Sequence, residues 1–120
     1  MMNQQELEAM SDLQLDTLIA ENEGVDFYVD DDGEFLWLKM GGQHGEDIVY
    51  SPTNTANHMM PLVFEHGISL IKDTTEDTYF ACSHYEELMH DSPTVYNPVE
   101  HSNPLRAAAI VYLLMKEGGQ

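Results

Sequence analysis

The sequence predicts an α+β domain: a small antiparallel sheet packed against about three helices, with the C-terminal helix central to the core. Three observations lead there. Two apolar runs flank Asp32-Gly33, the pattern of a hairpin. Ser11-Asp12-Leu13-Gln14 is a helix-start signature. The segment "NPLRAAAIVYLLMKEGG" is apolar on nearly every side. At 120 residues the chain is one domain, 1–120, long enough for a modest core without staples.

The elements follow in order. The Ser11 hydroxyl and Gln14 amide satisfy free backbone donors, and Leu15, Leu18 and Ile19 then recur at helical spacing until Gly24 stops the helix. Asp16, Glu21 and Glu23 are expected mainly on its outer face. In "VDFYVDDDGEFLWLKM", Val25, Phe27 and Val29 alternate with Asp26, Tyr28 and Asp30, as in a half-buried strand. Residues 35–40 form a second strand around the only tryptophan, Trp37. Asp32-Gly33 supplies the positive backbone angles of a tight turn between them.

After the connection "GGQHGED" comes a short strand, Ile48-Val49-Tyr50. Ser51 is placed to cap a helix beginning at Pro52, kinked or restarted at Pro61 and ended by Gly67. Residues 68–71 and 78–83 read as strands. Residues 94–99 read as an edge strand or none, because Pro98 lacks a backbone donor. Asn103 is a good N-cap, Pro104 suits the first helical position, and Gly118 ends the last helix. Tyr50, Met59 and Met60 suit either a core or a dimer contact.

Charge sets the bounds on function. Twenty-two Asp and Glu stand against four Lys and Arg, a net charge of −18. Residues 48–72 carry one acid and 101–120 one, so the acids concentrate in 1–47 and 73–100. Such a field repels nucleic acid and anionic membranes and speeds encounters with basic protein surfaces. The lone Cys82 precludes an internal disulfide and fits a reducing cytoplasm.

Motifs for chemistry are sparse. With Gly33 as the glycine of a calcium loop, Asp30 and Asp32 fit positions three and five, but Tyr28 falls at position one and Lys39 at position twelve, where the metal needs a carboxylate. No G-x-S-x-G or phosphate-cradling glycine motif occurs. Cys82, His84 and His90 offer metal donors without a recognised ligand spacing. No catalytic residue and no cofactor is therefore assigned. Arg106, the only arginine, falls in the first turn of the last helix, where the dipole disfavours a cation. It is expected to pair with an acid, with Glu100 a candidate.

Three segments, "SDLQLDTLIAENEG", "YSPTNTANHMMPLVFEHGISL" and "NPLRAAAIVYLLMKEGG", resemble in order and spacing the NinX-like family, small accessory proteins of lambdoid phages and prophages. Met60 stands where that family often shows a tryptophan. The resemblance implies a phage or prophage product made in the bacterial cytoplasm, and it brings no catalytic or binding site to these residues.

The leading expectation is a non-enzymatic protein that binds a basic surface of a host or phage protein, in the manner of a nucleic-acid mimic that inhibits a host defence or DNA-processing complex. The residues expected to make contact are Asp30, Asp31, Asp32, Glu34, Asp73, Glu76, Asp77, Glu86 and Glu87. The alternative is a small-molecule or metal-binding protein using Cys82, His84 and His90. A small enzyme without a familiar motif is the third.

Overall fold

A computed structural model describes residues 3–39, 47–83 and 99–117. Along the chain run helices α1 (Gln4–Glu8) and α2 (Asp12–Glu23), then strands β1 (Phe27–Val29), β2 (Leu36–Leu38) and β3 (Ile48–Val49). Helix α3 (Ala56–His66), strands β4 (Ile68–Asp73), β5 (Thr78–Ser83) and β6 (Val99–His101), and helix α4 (Pro104–Glu117) complete it. The α+β class holds, with antiparallel pairing throughout.

The single expected sheet is divided in two. One has the order β1-β2-β3 and the other β4-β5-β6. The physical reason is that Ile48–Val49 pairs with the hairpin and not with the later strands, Trp37 facing Val49 and Leu38 facing Ile48. Period-two patterning marks a strand but does not name its partner.

Helix α4 is the core, as its composition predicts. Every residue from Arg106 to Met115 is buried, and the helix touches α1, α2, α3 and all three strands of the second sheet. Asn103 starts it, its side-chain oxygen accepting from the Leu105 amide at 3.0 Å. Gly118 lies outside the described residues. Tyr50 and Met59 belong to this core and Met60 packs partly against it.

Several expectations change, and one falls largely outside the described residues. Helix α3 begins at Ala56 and not at Pro52, because residues 51–54 form a turn in which the Asn54 and Thr55 amides donate to the Ser51 carbonyl. It then runs through Pro61. The strand sought at residues 94–99 is described only at Val99–His101, since 94–98 lie outside the described residues. Helix α1 was not foreseen, although Asn3 and Glu6 form a capping box of their own. Asp16 does not face outward, being 3% exposed, and Glu23 is half-buried, accepting from the Tyr112 hydroxyl. Among the described residues, no helix is long and apolar enough to cross a membrane.

Candidate functional site

The acidic turn between β1 and β2 is built from its own amides. The Asp30 amide donates to the Phe35 carbonyl at 3.0 Å, closing residues 31–34 into a loop. Inside it, the Gly33 amide donates to the Asp30 carbonyl at 2.9 Å. One oxygen of the Asp30 carboxylate accepts from the Glu34 and Phe35 amides at 3.0 and 3.3 Å. The Glu34 amide, more than any other donor, holds the Asp30 carboxyl below its ordinary pKa. Gly33 alone in the loop has a positive φ, +69°, so the expected pair of left-handed residues reduces to one. A Cβ there meets nothing within 4 Å. Gly33→Ala is thus expected to cost about 1 kcal/mol through backbone strain alone, read as a lower denaturation midpoint with unchanged slope.

The consequence is a division of labour among the acids. Asp30 serves the turn, while Asp31, Asp32 and Glu34 are exposed and their carboxylates have no hydrogen-bonding or ionic partner among the described residues. The β4–β5 turn repeats the theme. Asp73 accepts from the Thr75 hydroxyl at 2.7 Å and amide at 2.9 Å, which keep its pKa low. Asp77 has a φ of +55° and pairs with Lys72 at 3.4 Å. Glu76 is exposed. Glu86 and Glu87 lie outside the described residues, as do His84 and His90. Cys82 is buried in β5, and burial pushes its thiol pKa up, away from the thiolate that metals and nucleophilic chemistry need.

Beside the β1–β2 turn lies a cleft of about 220 Å³ that sequence reasoning did not find. It opens where the first sheet leans on α2. Asp12, Leu13 and Asp16 come from α2, Glu34, Phe35 and Leu36 from the turn and β2, and Tyr50, Ser51 and Asn54 from the segment after β3. Phe35 is 49% exposed at its edge, whereas Leu36 and Tyr50 are buried. No local pattern links these segments, so only the folded chain brings them together.

A polar network fixes the cleft's helical wall. Thr53 donates twice to Asp16, from its amide to Oδ1 at 2.9 Å and from its hydroxyl to Oδ2 at 3.1 Å. Asn103 Nδ2 donates to the Thr53 carbonyl at 2.8 Å. Asp12 accepts from Asn54 Nδ2 at 3.1 Å and from Arg106 Nη1 at 2.5 Å. Arg106 also donates to the carbonyls of Glu8 and Met10, at 3.0 and 2.6 Å. Its partner is therefore Asp12 and not Glu100, which instead accepts from the Thr78 hydroxyl. Burial pushes the Asp16 pKa from 3.8 up to about 6, against the pull of the two Thr53 donors. His58 accepts the Ser51 amide at Nδ1, its pKa lowered by burial.

No family model matches the chain, and no curated protein matches it. Three stretches far apart in the chain meet in space at this network, through Asp12 and Asp16, Thr53 and Asn54, and Asn103 and Arg106.

Proposed function

We propose that this chain is a phage- or prophage-encoded accessory protein that works without catalysis, by occupying a basic surface on another protein in the place of nucleic acid. One observation carries the reading. Asp30 turns its carboxylate onto the amides of its own loop and so holds Asp31, Asp32 and Glu34 out into solvent. A turn of this kind needs one acid; the other three add nothing to its hydrogen bonding. Spaced carboxylates on a braced loop, on a chain of net charge −18, present to a cationic groove what a phosphate backbone presents. The phage setting comes from the resemblance of the three segments.

The test is competitive capture. A basic partner retained from bacterial lysate by the parent chain is expected to be released by duplex DNA and by raising salt from about 0.1 to 0.5 M, because surface charge pairs are screened over such a range. The double substitution Asp31→Lys with Asp32→Lys is expected to abolish retention while leaving the circular dichroism spectrum and denaturation midpoint close to those of the parent. Retention that survives both the charge reversal and the salt would overturn the reading.

A further inference from the structure

We infer that the cleft between α2 and the first sheet is a socket for a lysine side chain presented by the partner. The inference rests on the proposed basic partner and deepens it, by adding a specific pocket to a diffuse field.

The cleft has the two parts that an alkylammonium needs. Phe35, Leu36 and Tyr50 offer an apolar wall for a methylene stem. Glu34, Asp12 and Asp16 supply negative charge around it. Asp16 is the telling group. It is 3% exposed, yet among the described residues it touches no cation, and its direct partners are the neutral amide and hydroxyl of Thr53. A buried carboxylate left without a counter-ion is costly, and a cation brought to it recovers part of that cost. The carboxylate of Glu34, at the rim, has no partner among the described residues. The positive group nearest in this network, Arg106, is already committed to Asp12 and two carbonyls.

Geometry selects lysine over arginine. Arginine recognises a carboxylate best by a flat, two-bond approach to both oxygens. At Asp16 that approach is taken by Thr53, one donor to each oxygen, and at Asp12 by Asn54 and Arg106. Glu34 keeps both oxygens open, but at Asp12 and Asp16 each carboxylate oxygen already accepts one bond. An ammonium, with three donors on a compact centre and a thin stem, fits such an arrangement.

The test uses the full chain and Nα-acetyl-lysine N-methylamide, followed by two-dimensional NMR, with the norleucine analogue as a neutral probe of similar stem. The lysine probe is expected to saturate with a Kd of about 1 mM and to shift the amides of Leu36, Tyr50, Ser51 and Asn54. The norleucine probe is expected to bind at least about tenfold more weakly. Glu34→Gln, at an exposed position, should weaken the lysine probe about threefold, and Asp16→Asn about tenfold. Equal binding of both probes, shifts spread elsewhere, or a Glu34→Gln chain that binds like the parent would overturn the inference, whether or not Asp16→Asn folds. The acidic turn is tested separately: loss of a captured partner on reversing Asp31 and Asp32 does not depend on this titration.

Discussion

Arg106→Ala is expected to lower the unfolding free energy by about 3 kcal/mol, far more than a typical surface change. The guanidinium is the meeting point of three helices. It sits in the first turn of α4, where the dipole works against it, and is answered by Asp12, which sits in the first turn of α2, where the dipole favours an acid. Its other two bonds go to the carbonyls of Glu8, the last residue of α1, and of Met10, just beyond it. Helix C-termini leave such carbonyls without intrahelical donors. A helix of five residues cannot persist on its own hydrogen bonds, so α1 depends on this contact and on fully buried Leu7. Removing the side chain takes the donor from two carbonyls and from one oxygen of the Asp12 carboxylate together. Arg106→Lys should recover only part of the loss, since one ammonium cannot reach three acceptors in a fork. Asp12→Asn should cost less than Arg106→Ala, because an amide oxygen can still accept from Arg106 and the two bonds to the Glu8 and Met10 carbonyls remain. Guanidinium denaturation reads all three, and a deficit below about 1 kcal/mol for Arg106→Ala would contradict this account.

What was legible in the sequence was what depends on near neighbours. The Ser11–Gln14 box and the Asn103 cap are both found, because each links residues two or three positions apart. The buried character of α4 was legible for a similar reason, since an apolar residue on every face leaves no side for water. Asp16 was not. Its charge assigns it to solvent although it lies three and four residues before buried Ile19 and Ala20, and its partner inside is Thr53, 37 residues away. Arg106 was rightly given an acid and given the wrong one, because Asp12 is 94 residues away and Glu100 only six. The short α1 helix did carry a signal that was passed over, the Asn3 and Glu6 pair. As for the site, surplus acid in the hairpin is visible from composition, but which acid braces the loop and which are displayed depends on backbone geometry. The cleft draws on three separate stretches, and no periodicity joins them.

The second large effect belongs to Asp16, and its sign is opposite to that of most acids in folded proteins. Its pKa is raised on folding, from 3.8 to about 6, chiefly because the carboxylate is withdrawn from water. Asp12 on the same helix raises it further, while Thr53 and the more distant Arg106 lower it without cancelling the burial. Glu34 and Tyr50 face the same cleft. Below pH 3.8 the group is protonated both folded and unfolded and makes no pH-dependent contribution. Between 3.8 and about 6 the folded chain keeps a proton that the unfolded chain releases, so stability falls as pH rises. Above about 6 the full cost is present and constant, and the gap between the two values corresponds to about 3 kcal/mol. Asp16→Asn retains an oxygen for the Thr53 amide and never ionises. The difference in unfolding free energy between variant and parent should therefore move in the variant's favour by about 3 kcal/mol from pH 3.5 to pH 7. The other acids titrate in both chains and cancel in that difference, which separates this one residue from the general self-repulsion of a chain at −18. A difference that stays flat across the range would mean that Asp16 reaches water in the folded protein, and that its position beside the cleft carries no electrostatic cost.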